Sequence, residues 1–441
     1  MAQTVLTRTP SGAGNRKTWT FSTWIKRAGL GNNIILEANS SGGSSNTNYI
    51  GANFGGGYQL VLGGWTSNFL ATTQFFRDVS AWYHIVIRVD TTQSTADDRM
   101  RIYVNGEQVT DFGTRNNPGQ NDDTGLNAAV ATTIGKTMDG YMAQTILADG
   151  QSLAPTSFGE TDSTTGIWKP KAFSGTYGTN GFKLDFKNSG ALGTDTSGNT
   201  NNFTVTNAGT NAQVVDTPTN NFATMNSIAN TTEAGGTFSE GNLKVVTNQA
   251  DYSYRPSSIG VSAGKWYCEV KAVSFGGGSD PYMIGITSTQ PTANSDELGH
   301  YANDWAYRED GKYRNNNSNT TWGNTYTSGD IIGIALDLTN SKLYFSKNGT
   351  WQESGDPTSG ASGTGAISIT AVGSTPLENY FFAIGDYDNS GGSTSTFQVN
   401  FGNPPFTISS GNADANGFGN FEYAVPSGYY ALCTENLNTY G

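Results

Sequence analysis

Two stretches of this chain follow the same local pattern, and that pattern limits the fold more than anything else in the sequence. In each, an apolar strand leads through a polar turn into a second strand that ends at Asn-Gly. The first stretch is Trp82-Tyr83-His84-Ile85-Val86-Ile87-Arg88-Val89-Asp90 with Arg101-Ile102-Tyr103-Val104-Asn105-Gly106-Glu107. The second is Gly329-Asp330-Ile331-Ile332-Gly333-Ile334-Ala335-Leu336-Asp337-Leu338 with Lys342-Leu343-Tyr344-Phe345-Ser346-Lys347-Asn348-Gly349-Thr350-Trp351. A two-residue hairpin loop needs positive φ at both central positions, which Asn and Gly tolerate. The repeated pattern therefore predicts antiparallel sheets in two places, with loops on display.

Composition agrees with all-β structure. The 441 residues allow two to four domains, each large enough for a core of its own. The 57 glycines are about twice the usual share, and 12% aromatic residues argue against wholesale disorder. A net charge of -12, with 24 Lys and Arg scattered along the chain, excludes a phosphate-tracking surface, so no nucleic acid is expected. No run approaches the roughly 20 apolar residues of a spanning helix, so no membrane insertion is expected. Met1 to Arg8 lacks the charged start and apolar stretch of a secretory leader, and release into the cytoplasm is the expectation. Cys268 and Cys433 cannot form a disulfide framework. Free buried thiols are the preferred reading, and a single bridge between them stays open.

Residues 18 to 28 alternate large and small groups with period two, as a half-buried strand does. Further strands are expected at 33–38, 58–62, 82–90 and 100–104, separated by Gly/Ser/Asn loops such as 40–46. The blocks Phe21-Ser22-Thr23-Trp24-Ile25-Lys26, Trp82-Tyr83-His84-Ile85-Val86, Ile102-Tyr103-Val104-Asn105-Gly106 and Asp139-Gly140-Tyr141-Met142-Ala143 resemble the laminin-G-like, concanavalin-A-type lectin superfamily. That resemblance covers residues 1–173 and implies an antiparallel jelly-roll sandwich, often with carbohydrate or protein ligands at a loop rim. Residues 174–236 hold one alternating strand, Phe182-Lys183-Leu184-Asp185-Phe186, but few other apolar groups, and are expected to form an extended polar connector laid against its neighbours.

Residues 237–441 form the second module. Lys265 to Val270, Gly329 to Trp351 and Val399 to Gly402 fall in the order found in a SPRY domain, a resemblance covering about 240–408. SPRY domains are also β-sandwiches, usually binding modules, and the remaining C-terminal residues form an extension. The fold class is thus all-β, two antiparallel β-sandwich domains joined by a connector. The tandem order, the Asp216-Thr217-Pro218-Thr219-Asn220-Asn221 segment and the Tyr429-Tyr430-Ala431-Leu432-Cys433 ending resemble tail-fibre or virion-appendage proteins of tailed bacteriophages. This implies a virion location, other virion proteins as partners, a host-surface glycan or protein receptor, and assembly as a homo-oligomer, a trimer by analogy with fibres.

Catalytic spacing is missing. Glycan hydrolysis on this type of sandwich uses carboxylates on one strand face at Glu-x-Asp-x-x-Glu spacing, whereas Glu37, Glu107, Asp185 and Glu269 stand alone in their strands. His84 reads as a structural strand residue and His300 as a loop residue without a neighbouring nucleophile pattern. The pairs Asp97-Asp98 and Asp122-Asp123 lack calcium-loop spacing and read as solvated turns. Gly55-Gly56-Gly57 and Gly276-Gly277-Gly278 lack the Lys and Ser/Thr of a phosphate cradle. No catalytic residue, metal or cofactor is assigned. The stretch dense in aromatic and amide groups, Tyr301, Asn303, Trp305, Tyr307, Arg308, Tyr313 and Trp322, is the candidate ligand-binding surface, since rings stack on sugars or side chains while amides and guanidinium satisfy polar groups. The expected function is non-enzymatic host recognition. The alternatives are a capsid or tail decoration protein making protein contacts, and a polysaccharide depolymerase.

Overall fold

The computed structural model describes residues 3–39, 49–56, 58–64, 68–209, 211–229, 236–247, 253–275, 282–289, 297–386 and 394–441. The expected loop at 40–46 and the glycines 276–278 lie outside these residues, as does Gly57. The chain divides into two units, Met1–Gln213 and Val214–Gly441.

In the first unit, Thr18–Arg27 is flanked by Trp82–Asp90 and Gly140–Asp149, both antiparallel. Trp82–Asp90 continues into Met100–Val104 and Glu107–Gln108. Among the described residues a second sheet of eight strands lies opposite, with Asn33–Asn39 and Tyr49–Phe54 near its centre. Alternate residues from the two sheets, among them Trp19, Phe21, Ile85 and Ile87 from one and Ile35 and Leu62 from the other, fill one core. The expected half-buried strand at 18–28 is buried on both faces instead. Its sheet's outer face is covered by chain after residue 150, where Phe158 closes over Val86, Tyr103 and Ile146. A covered outer face removes the polar alternation that solvent would otherwise impose.

The segment 174–236 is not one connector. Phe182–Leu184 pairs with Thr145 to Leu147, and Thr204–Thr206 pairs with Val5 to Thr7, so both close the edges of the first sandwich. The Asp195 carboxylate fixes the loop between them, accepting from the backbone N–H groups of Lys183, Ser197 and Asn201. Burial of Phe182, Leu184 and Phe203 stabilises each by about 1.5–3 kcal/mol. Three apolar anchors suffice because the core they join already exists.

The second unit is built around Lys265–Ser274, which pairs with Ile331–Asp337 on one side and Thr396–Asn400 on the other. The facing sheet runs from Ser253–Pro256 through Phe381–Asp386, Tyr282–Thr287, Asp304–Arg308 and Lys312–Asn315 to Ser318–Thr321 at its edge. The C-terminal extension is part of this unit: Tyr430–Ala431 lies parallel beside Trp266 and Tyr267, and a helix follows at Thr434–Tyr440. Glu269 anchors the extension, its buried carboxylate accepting from the N–H groups of Glu422 and Tyr423, the Tyr267 hydroxyl and the Asn400 amide. Cys268 and Cys433 are buried and unbridged.

Both Asn-Gly pairs make the expected two-residue turns, with φ of 49° and 88° at Asn105 and Gly106 and of 48° and 79° at Asn348 and Gly349. Each asparagine side chain also accepts a backbone hydrogen bond, Asn105 from His84 N and Asn348 from Ile331 N, both at 2.8 Å.

Candidate functional site

The three strands that end the second unit's smaller sheet define a wall. Tyr307 pairs with Tyr313, and Tyr313 pairs with Thr320. Strand alternation therefore places Trp305, Tyr307, Tyr313, Asn315 and Thr320 on the inner face, and Arg308, Lys312 and Arg314 on the outer. The outer charges neutralise one another. Arg308 and Lys312 both pair with Asp310, at 3.1 and 2.7 Å, and Arg314 pairs with Glu297.

The opposite wall comes from the other sheet, where Ile367–Ser368 pairs with Lys342 and Leu343 and the chain continues to Thr370. Between the walls lies a cleft of about 700 Å³. Trp305, Tyr313 and Trp322 line it, with Asn315 and Thr320 beside them and Ala366 to Thr370 across from them. Trp305, Ile367 and Ile369 belong to the core and are almost fully buried, whereas Tyr313 and Trp322 are half-buried and Thr320 and Ser368 are exposed. Trp322 meets Tyr307, Tyr313 and Phe345 edge-to-face, which fixes its ring.

Three of the seven expected site residues thus reach the cleft. Tyr307 shares the inner face but is wholly buried, donating its hydroxyl to the Asn324 carbonyl; burial pushes its phenol well above the ordinary range. Arg308 is three residues from Trp305 and so faces the other way, where it pairs with Asp310 and donates to Asn319. Tyr301 packs edge-on against His300, and its carbonyl accepts from Asp304 N and Asn316 N. The Asn303 carbonyl accepts from Ser288 N. Both lie in the turn that enters the strand, and of that turn it is Ala302, between them, that lines the cleft. Asn315 and Thr320 fall within the candidate stretch but were not singled out, and sequence reasoning missed the wall 366–370. The alternation Ile367-Ser368-Ile369-Thr370 was a readable strand signal, but nothing local linked it to residue 322.

The other chemically suggestive groups have structural partners. His84 is buried between Ser22 Oγ, 2.8 Å from Nε2, and Trp168 Nε1, which donates to Nδ1 at 2.9 Å. Because indole nitrogen is only a donor, Nδ1 is the acceptor and Nε2 carries the proton. His84 therefore donates to Ser22 and cannot act as its base, and burial holds its pKa down at about 3. Asp97 pairs with Arg115 and Asp98 with Arg101, Asp123 lies 3.6 Å from Arg16, and Asp122 accepts from Gly119 N. Glu37 pairs with Lys136 at 2.6 Å. Asp304, wholly buried behind Trp305, accepts from Thr287 Oγ1, and burial pushes its carboxyl up to about 7.

Two stretches of the chain match known domain families. Residues 3–148 match the Laminin_G_3 family, described as the concanavalin A-like lectin/glucanases superfamily, and residues 265–374 match the SPRY domain. The chain carries one domain of each kind. A stretch of 76 residues is 32% identical to the dual specificity protein kinase splA of Dictyostelium discoideum, covering 17% of this chain and 3% of that protein. Among solved structures, the SPRY domain of human HERC1 is 15% identical with a TM-score of 0.31, over 40% of this chain and 96% of that one. The stonustoxin structure is 17% identical with a TM-score of 0.29, over 40% of this chain and 27% of that one.

Proposed function

We propose that this protein is a non-enzymatic recognition protein, a tail fibre or similar appendage of a tailed-bacteriophage virion that binds a glycan or protein on the host surface. The observation that carries the reading is the open cleft lined by Trp305, Tyr313 and Trp322 on a SPRY domain, in one chain with a lectin-like sandwich. Supporting it, the His84 and Ser22 pair is held in the wrong tautomer for nucleophile activation, and the acidic pairs are tied to arginines or to backbone. The virion setting rests on the tandem order and the Tyr-Tyr-Ala-Leu-Cys ending, and self-assembly into a trimer belongs to the same reading. Excess purified protein added to host cells should reduce adsorption of the phage that encodes it. Undiminished adsorption at saturating protein would overturn the reading.

A second reading, a decoration protein that makes protein contacts only, is favoured by the edge strand Ser318–Thr321. All four of its residues are exposed, and it carries no lysine or proline of the kind that blunts an edge against pairing. Particles lacking the protein discriminate the two: failed assembly supports decoration, whereas intact particles that do not adsorb support recognition.

A further inference from the structure

We infer that the cleft of the second unit is a site for an uncharged oligosaccharide, an inference that rests on the recognition reading above. Three observations carry it. First, none of the described lining residues is an acid, a lysine, an arginine or a histidine. The sheet that forms one wall is rich in charge, but alternation sends Arg308, Lys312 and Arg314 to its other face, where Asp310 and Glu297 pair with them. The lining itself supplies no counter-charge, and the one ammonium beside it, Lys342 at 3.0 Å from Ser368 Oγ, stands at the rim, so a charged ligand group deeper in the cleft would lose hydration uncompensated.

Second, the accessible lining combines rings with fixed hydroxyl partners. Tyr313 and Trp322 are half-buried, and the edge-to-face contacts of Trp322 hold its ring in place. Aromatic faces carry negative quadrupole density that accepts the C–H groups of a sugar ring. Third, the polar groups are preorganised. Both hydrogens of the Asn315 amide are committed, to the carbonyls of Ala302 at 3.0 Å and Asp304 at 2.8 Å, which leaves its Oδ1 to accept from a ligand hydroxyl. Lys342 donates to Ser368 Oγ at 3.0 Å, which leaves the Ser368 hydrogen to donate. Locked partners cost little ordering on binding. The volume of about 700 Å³ lies within the roughly 300–1,000 Å³ of small-molecule clefts. A peptide anchor would want an open apolar pocket, whereas Ile367 and Ile369 are spent in the core.

The test uses the full chain against hexose and N-acetylhexosamine oligosaccharides free of carboxylate, sulfate and phosphate, beside a matched set bearing those groups and a random peptide library. Trp322→Ala removes a stacking ring. Thr320→Arg fills the cleft from an exposed edge position and should leave the melting temperature unchanged. The expected result is binding of uncharged oligosaccharides that falls at least tenfold in both variants. Uncharged sugars bound equally by both variants would overturn the inference, as would binding confined to acidic or sulfated sugars. Binding of peptides alone would also overturn it while leaving host recognition intact, and loss of the adsorption effect would sink the recognition reading itself.

Discussion

The two units use one hairpin device, and they differ in what opens beside it. In each, an asparagine at positive φ accepts a hydrogen bond from the N–H of a neighbouring strand, and the glycine after it lies under an aromatic ring from a later segment, Gly106 under Trp168 and Gly349 under Tyr423. Beyond the turn they diverge. The first unit covers the outer face of its hairpin sheet with chain after residue 150, so its buried histidine meets only protein. The second unit leaves a cleft open where its sheets separate, and keeps that cleft free of charge by sending its arginines to the other side of one sheet. Both hairpin sheets are covered on the outer face, the first by chain after residue 150 and the second by the C-terminal extension, where Phe421 and Tyr429 pack on Tyr267 and Tyr344. The cleft opens instead between the second unit's two sheets.

The largest expected effect breaks the comparison at the C-terminal extension. Glu269→Ala leaves four donors unpaired, two of them backbone N–H groups of the extension. At about 1–3 kcal/mol for each buried unsatisfied group, the second unit should lose several kcal/mol while the first is unaffected. Urea unfolding followed by hydrogen exchange in each unit would check this, and equal losses in both units would refute it.

Next come the turn glycines. A Cβ at Gly349 would sit 2.6 Å from the Tyr423 ring, and one at Gly106 would sit 2.9 Å from the Trp168 ring. Each alanine also pays roughly 1–2 kcal/mol for left-handed backbone. Gly106→Ala and Gly349→Ala should therefore each destabilise their own unit by about 2 kcal/mol, read as a shift in the urea midpoint. If either variant is neutral, the covering ring moves freely and the parallel between the units fails.

The effect most particular to each unit is in pH. His84 is held at about 3 in the folded chain against 6.5 ordinarily, so between these values the unfolded chain binds the extra proton. The first unit should lose stability as pH falls through that window. Asp304 is raised to about 7 against 3.8, so the folded chain holds the extra proton between them, and the second unit should lose stability as pH rises through that window. Amide exchange in Trp82–Asp90 and Asp304–Arg308, followed from pH 4 to 7, should show opposite slopes, and Asp304→Asn should flatten the second. Parallel slopes would contradict the assigned protonation states.

Much of the fold was readable because strand alternation and Asn-Gly turns are local signals. Trp82 to Asp90 and Ile331 to Asp337 announce themselves in a window of ten residues. The alternation at 182–186 was also readable as a strand, but its place at the edge of the first sandwich, like the strand at 204–206, was not, because a three-residue edge strand takes its stability from a core made elsewhere. The site was half legible. Density of rings and amides pointed to Trp305, Tyr313 and Trp322, but density ignores the period of two that turns Arg308 outward and the burial that consumes Tyr307. The wall at 366–370 comes from the other sheet of the sandwich, and only tertiary pairing with Lys342 and Leu343 brings it to the cleft.

On the proposed function, recognition resides in the open cleft of the second unit, and hydrogen exchange of the full chain with and without saturating host-surface extract would locate it. Protection should appear in Lys312–Asn315, Ser318–Thr321 and Ile367–Ser368, with the Trp82–Asp90 hairpin unchanged. Protection confined to the first unit, with those strands exchanging as in the free protein, would contradict it.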